Sequence, residues 1–314
     1  MNGSLISFSI LIPAYKAKYL KECLDSCLAQ TYDNFEMIVV NDASPENLDA
    51  IMKPYEGEPR IKYYKNEKNC GAENVVDNWN ICLKYASGMF VICMGDDDML
   101  MPDCLRAYAY AIGKYPEVDE FHGRVRLVDE RGLLIEILED RCEHESAYAN
   151  MLHRLEGRRQ YIGDFCYRRE RLLREGGFYN LPFAWGADDI TSFMCADPNG
   201  VVNINTPIFC YRQNRYTISS SSNEEKKLVA LLLEDEWIKN YINLQTPVTE
   251  LECDELGKIR LLREKSLKNN QGYVIKASIR KSKLSIFKWL LVCGKYSVSR
   301  ADVVLAFIRF LYRG

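Results

Sequence analysis

Residues 8–41 read FSILIPAYKAKYLKECLDSCLAQTYDNFEMIVVN, and this stretch decides the fold. Phe8–Tyr15 is a short apolar run closed by Pro13. Leu20, Cys23, Leu24, Cys27 and Leu28 then fall on one helical face, and Phe35–Asn41 is a second, β-branched run before the turn-forming Asp42–Pro45. The order is strand, helix, strand. Working outward, Arg60–Tyr64 is a third strand, Gly71 precedes a helix from Glu73 to Ala86 stopped by Ser87-Gly88, and Met89–Met94 is a fourth buried strand. Nearly continuous apolar strands alternating with helices predict an α/β fold. Its mostly parallel, doubly wound sheet is covered on both faces, as in nucleotide-binding domains.

Open α/β sheets bind ligands beyond the carboxyl ends of their strands, at the topological switch point. The loops selected by that rule are Pro13-Ala14-Tyr15, Asn41-Asp42-Ala43-Ser44, Asn66–Gly71 and Gly95-Asp96-Asp97-Asp98. Neither GxGxxG nor GxxxxGK[ST] occurs, which sets aside dehydrogenases of the NAD type and P-loop kinases. Three consecutive Asp usually make a solvated turn. Here they follow a buried strand at the binding edge, where crowded carboxylates call for a cation. Oxygen ligands suit Mg²⁺ or Mn²⁺, with substrate phosphates completing the coordination. Such an ion would act as a Lewis acid on a diphosphate leaving group.

Three stretches in order, FSILIPAYKAKYLKECLDSCLAQTYDNFEMIVVNDAS, NWNICLKYASGMFVICMGDDDMLMPDCL and GDFCYRRERLLREGGFYNLPFAWGADDITSFM, resemble inverting glycosyltransferases of family 2 over roughly residues 7–220. The resemblance implies a GT-A fold, with a Rossmann-like nucleotide-binding half, an acceptor half and a helical C-terminal extension. It implies that Pro13, Ala14 and Tyr15 line the nucleotide pocket, that Asp42 hydrogen-bonds the base, and that Asp96-Asp97-Asp98 is the DxD-type motif. In one register Asp97 and Asp98 are the metal-side carboxylates and Asp96 fills the variable position; in the other, Asp96 and Asp98 form the pair. Two departures stand out: Trp79-Asn80 replaces the family's Arg-Asn, and Gly95 stands where a first Asp would fall.

A hydroxyl acceptor must lose its proton as the anomeric carbon is attacked, which calls for a carboxylate within hydrogen-bond reach. Asp188-Asp189 resembles the family's Glu-Asp pair at a helix start, which selects Asp189 as the base with Asp188 as the alternative; helix capping is the competing role. Gly163–Phe178 is expected to shape the donor-sugar and acceptor side. Trp185 is placed to stack on a sugar or pack in the core. The resemblance also sets Tyr211-Arg212 and Ser219–Ser222 in the place of the family's loop that closes over the diphosphate, with Arg212 or Arg215 facing phosphate or a surface acid.

The net charge of −3 conceals two opposed halves: residues 265–314 hold 11 Lys or Arg against Asp302 alone, a balance of +10, leaving −13 for residues 1–264. Leu284, Phe287, Leu290 and Leu291 share a face while Lys281, Lys283, Lys288 and Lys295 interrupt the other. Basic amphipathic helices bind anionic membrane surfaces; docking on the acidic body is the alternative. No nucleic-acid motif accompanies the charge. The 12 Cys show no CxxC pair and the three His are isolated, so free thiols are expected and a zinc site is not. The N-terminus reads as a strand rather than a signal peptide, which suggests the cytoplasm, with peripheral attachment to the inner face of the membrane.

The expected organisation is residues 1–222 as the transferase domain, divided into a nucleotide-sugar half, 1–103, and an acceptor half, 104–222. A basic helical region follows over 223–314. The expected activity is metal-dependent transfer from a nucleotide-diphosphate sugar, UDP-linked, to a hydroxyl of a growing glycan or lipid-linked saccharide. The alternatives are a nucleotide-sugar-binding protein without turnover and a nucleotidyltransferase of similar fold.

Overall fold

The computed structural model describes residues 6–214 and 223–312. The opening stretch forms β1 (Phe8–Ala14), α1 (Leu20–Leu28) and β2 (Phe35–Asn41), followed by α2 (Leu48–Met52), β3 (Ile61–Lys65), α3 (Val75–Tyr85) and β4 (Phe90–Cys93). Then come β5 (Met99–Leu100), α4 (Cys104–Lys114), β6 (Glu120–Val128), β7 (Leu134–Ile137), β8 (His144–Glu145), α5 (Ala147–Leu155), β9 (Phe165–Arg168), α6 (Arg169–Arg174), α7 (Ala187–Ala196) and β10 (Val201–Arg212). Four helices close the chain: α8 (Glu224–Leu244), α9 (Glu250–Lys281), α10 (Ser285–Val292) and α11 (Arg300–Tyr312).

One sheet runs in the order β3-β2-β1-β4-β9-β6-β10-β5, with β7 added beside β6 and β8 beside β10. β3, β2, β1 and β4 are mutually parallel, and β9 enters antiparallel between β4 and β6. The chain runs outward from β1 to β3 and returns to the other side of β1, so the switch point lies between β1 and β4. Side chains alternate across a strand. Ile10 and Ile12 therefore face Leu20, Cys23, Leu24 and Cys27 of α1, whereas Leu11 faces Val76, Cys82 and Leu83 of α3. Both faces are buried, which is why these strands read as continuous apolar runs.

The C-terminal helices are packed on this body. Tyr148, Met151 and Leu152 of α5 and Phe193 of α7 meet Ile238 and Ile242 of α8 and Leu256 and Ile259 of α9. A second cluster joins Leu228 and Leu231 of α8 and Val274, Ile275 and Ile279 of α9 to Trp289, Val303 and Ala306. Part of the tail's apolar surface is thus used as core, and α8 and α9 are brought to the edge of the site.

Candidate active site

β1 and β2 end level with each other, Ala14 opposite Asn41, and β4 ends near Leu11. This register sets the predicted loops side by side. They form one end of a cavity of about 680 Å³ whose wall includes Pro13, Tyr15, Asp42, Asn69, Trp79 and Asp96–Asp98 at that end. At the other end the wall is Trp185, Gly186, Asp188, Asp189, Glu234, Asn270 and Tyr273. Ala14 differs from the expectation: it is fully buried within the sheet, and what it supplies is its carbonyl, which accepts from the Asp42 N–H at 2.9 Å.

Asp42 is buried and held from the 66–70 loop. One carboxylate oxygen accepts from Asn66 Nδ2 at 2.8 Å and from the Cys70 N–H at 3.0 Å, while Asn69 Nδ2 donates to its carbonyl at 2.7 Å. These contacts fix its position on the cavity wall. Burial, and then Asp42 itself, push the Cys70 thiol up to about 12, so it is not a nucleophile at neutral pH.

In the acidic triplet each carboxylate has one oxygen engaged by the protein. Asp96 Oδ2 accepts from the Tyr15 and Lys16 N–H groups, both at 2.7 Å, tying β4 to the end of β1. Asp97 Oδ2 accepts from Asn214 Nδ2 at 2.6 Å, and Asp98 Oδ1 from the Arg212 N–H at 2.9 Å. The remaining oxygens of Asp97 and Asp98 converge over Gly95. A Cβ at Gly95 would lie 2.8 Å from Asp97 Oδ1 and 3.1 Å from Asp98 Oδ2. The side chain missing from the family pattern is therefore what leaves that space open. Burial and the Asp97 charge raise Asp96 to about 6 and hold Asp98 well above the usual carboxylate range. Two converging carboxylate oxygens on the cavity wall fit Mg²⁺ or Mn²⁺, ions commonly held by one or two carboxylates plus substrate phosphates. Among the described residues no cluster of three or more acidic, His or Cys ligands occurs.

Arg212 is turned inward rather than toward the cavity. Its guanidinium donates to the Asp97 carbonyl at 2.9 Å and to Glu22 at 2.6 Å, and lies 4.2 Å from the Tyr19 ring centroid. It props the triplet from behind, and its charge is spent there. Arg215 and Ser219–Ser222 lie outside the described residues.

Asp188 and Asp189 open α7, whose preceding residue, Gly186, has φ +84°. Successive helical side chains diverge, and the two acids meet different surroundings. Asp189 is only 2% exposed; its Oδ1 accepts from Arg154 Nε at 2.6 Å and from Gln160 Nε2 at 2.9 Å. Asp188 is half-buried on the cavity wall. Burial first, and the Asp189 charge second, raise it to about 7. Glu234 of α8 faces the pair, and burial and Asp189 raise its carboxyl strongly. Gly186 is the position that lets α8 come so close, since a Cβ there would lie 2.7 Å from Glu234 Oε2. Gly186→Ala is expected to cost about 1–3 kcal/mol of stability, because it adds that clash to a left-handed backbone. Chemical denaturation of the two proteins checks this.

Trp185 borders the cavity, packs half-buried against two core clusters, and has Lys227 Nζ 4.6 Å over its ring. Trp79 packs edge-on to Phe178 at 5.9 Å, and the Asn80 amide donates to and accepts from the Phe178 backbone at 2.9 and 2.8 Å. The Trp79-Asn80 pair thus ties α3 to the turn at Gly177. Within Gly163–Phe178, Phe165, Tyr167 and Phe178 are core; just before it, Tyr161 and Ile162 reach the cavity, Tyr161 stacked on Tyr211 at 3.9 Å. Arg154, Gln160, Glu234 and Asn270 were not picked out by motif, because each arrives from a distant helix or loop.

A doubly wound half carrying paired acids at its switch point, joined to a second half with acids at a helix start, is the architecture of a nucleotide-sugar transferase. Residues 9–174 match the model of glycosyl transferase family 2, and the chain belongs to that family. It is 30% identical over 132 residues to the poly(ribitol-phosphate) β-N-acetylglucosaminyltransferase TarS of Staphylococcus aureus, covering 41% of this chain and 22% of TarS. The fold matches S. aureus TarS 1–349 in complex with UDP-GlcNAc with a TM-score of 0.65 at 19% identity, covering 97% of this chain and 90% of that one. It also matches the mannosyltransferase PcManGT of Pyrobaculum calidifontis in complex with GDP-Man and Mn²⁺, with a TM-score of 0.54 at 15% identity over 99% and 88% of the two chains. The matched stretch spans a fifth to a third of the length of the first curated relatives.

Proposed function

We propose that this family 2 glycosyltransferase is a metal-dependent inverting enzyme that moves a sugar from a UDP-sugar to a hydroxyl of a growing glycan. The observation that carries the reading is one cavity with nucleotide-side carboxylates at one end and a raised, solvent-reachable carboxylate, Asp188, at the other. The UDP-GlcNAc complex of the similar TarS fold supports the donor class. In this reading Asp42 takes the nucleobase, and Asp97 and Asp98 are the residues that would hold Mg²⁺ or Mn²⁺. When bound, the ion supplies the positive charge that a departing diphosphate needs.

The geometry favours Asp188 over Asp189 as the base. A base must have an oxygen available to the acceptor hydroxyl and a pKa near the working pH. Asp189 touches the cavity wall but is only 2% exposed, and its Oδ1 is held in an ion pair with Arg154. Asp188 accepts the acceptor proton while the acceptor oxygen bonds to the anomeric carbon and the bond from that carbon to the UDP oxygen breaks. Attack from the face opposite the leaving group inverts the configuration. Asp189 and Arg154 position α7. Because Asp188 titrates near 7, kcat/KM is expected to rise with pH through about 7 and then level off. A pH profile of UDP release checks this; a flat profile from pH 5 to 9 would count against Asp188.

The acceptor wall, made by α7, α8 and α9, presents Trp185, Tyr273, Asn270 and Ser266, a mixture of ring faces, amide and hydroxyl suited to sugars. Among the described lining residues the cations are Lys16, at the nucleotide end, and Arg154, which is held by Asp189. This favours an uncharged saccharide rather than the phosphate polymer named for TarS. UDP release from UDP-sugars with neutral saccharides and Mn²⁺ tests the reading. Turnover supports it, and pyrophosphate release from a nucleoside triphosphate instead would replace it with nucleotidyl transfer.

A further inference from the structure

The docked tail leaves an unexplained surface. On α10 one side is core: Trp289 is fully buried, and Cys293 just beyond follows it inward. The other side carries Phe287 and Leu291, with Leu284 at the N-cap, and these are 74% (Leu284), 64% (Phe287) and 83% (Leu291) exposed. Their spacing of three and then four residues puts them in one row on the helix. A row of large apolar side chains held in water is unusual for a soluble face and marks a contact surface. We propose that this face of α10 docks on an anionic membrane surface.

Charge decides the occupant. Lys283 and Lys288 flank the row, both exposed, and Lys295 and Arg300 follow. Between residues 283 and 312 the one acid is Asp302, and its carboxylate is taken by the Ser299 hydroxyl at 2.6 Å at the start of α11. Two neighbouring cations lean on α8, Lys288 on Glu225 at 2.5 Å and Lys281 on Glu224 at 2.9 Å, and Glu264 of α9 shares a groove with Leu305 and Arg309 of α11. α11 adds outward Leu305, Ile308 and Leu311 beside Arg309. A second copy packed symmetrically on the row would oppose Lys to Lys, which disfavours a dimer. Apolar side chains rimmed by cations match the boundary between acyl chains and anionic headgroups. Among the described residues no helix is long and apolar enough to cross a membrane, so the contact proposed is interfacial.

Flotation of the full chain with vesicles tests this independently of the transfer reaction. Binding is expected to phosphatidylcholine vesicles containing phosphatidylglycerol, to be weak on phosphatidylcholine alone, and to fall with added salt. The triple variant L284E/F287E/L291E is expected to lose at least about tenfold in vesicle binding, through lost apolar contact and added negative charge. Its circular dichroism melting should stay close to the parent's, since these side chains are mostly exposed and belong to no core cluster. The proposal is overturned if the parent does not float with the anionic vesicles, if the triple variant floats equally well, or if the row instead mediates a dimer that the variant dissociates.

Discussion

Asp188→Asn is expected to reduce sugar transfer by about 10²–10⁴-fold while leaving UDP binding unchanged. Asparagine keeps the shape of the side chain and removes the oxygen that takes the acceptor proton. The variant should not be mistaken for a misfolded protein, because its stability moves the other way. In the folded chain Asp188 keeps its proton to about pH 7, against an ordinary value of 3.8. Between those values the folded state binds more protons than the unfolded state, so stability falls as pH rises through about 7. Asn escapes that loss. Asp188→Asn should therefore melt above the parent at pH 8 and converge with it toward pH 4. Asp189→Asn should do the opposite: it leaves the Arg154 guanidinium and Gln160 without their carboxylate, costing about 1–3 kcal/mol of stability. Thermal melts at two pH values, set beside transfer rates, separate the two acids. Full loss of transfer in Asp189→Asn with little change in Asp188→Asn would reverse their roles.

Chelation of divalent ions is expected to lower turnover by about 10²–10³-fold, several kcal/mol of lost charge stabilisation, with recovery on adding Mn²⁺. Asp98→Asn should show the same loss without recovery. The substitution is chosen because the amide oxygen can still accept from the Arg212 N–H, so the loop between β4 and β5 keeps its anchor while the second carboxylate is removed. Gly95→Ala offers a steric counterpart. Its methyl would occupy the space on which Asp97 and Asp98 converge, so metal-dependent activity should fall although both acids are present. Turnover that is indifferent to chelator in the parent would exclude the metal role.

Much of the parallel part of the sheet was legible in the sequence because a strand buried on both faces leaves an unbroken apolar run, as in FSILI and MIVV, and because the ligand edge of such a sheet is fixed by topology. Asp42 and the acidic triplet could be read from their place just after those runs. Ala14 shows the limit of that reading: it lies on the right loop but within the ladder, since Asp42 needs its carbonyl. Arg212 was legible as a cation facing phosphate or a surface acid, and Glu22 is that acid; its turn inward onto the Asp97 carbonyl and Tyr19 was not legible. The partition of Asp188 and Asp189 was not legible, because it is set by Arg154 of α5 and Gln160, far away in the chain. Nor was Glu234, which reaches the site only because Gly186 has no side chain. The tail's basic, apolar character was plain in the sequence. Which apolar residues turn inward required the packing of Trp289 against α8 and α9.

The most direct test of the central claim is a calorimetric titration of UDP into the protein with Mn²⁺, repeated for Asp42→Ala and for Asp188→Asn. Binding is predicted for the parent and, undiminished, for Asp188→Asn, with a marked loss for Asp42→Ala and on chelation. No binding of UDP by the parent, or equal binding by Asp42→Ala, would contradict the placement of a nucleotide-sugar donor in this cavity.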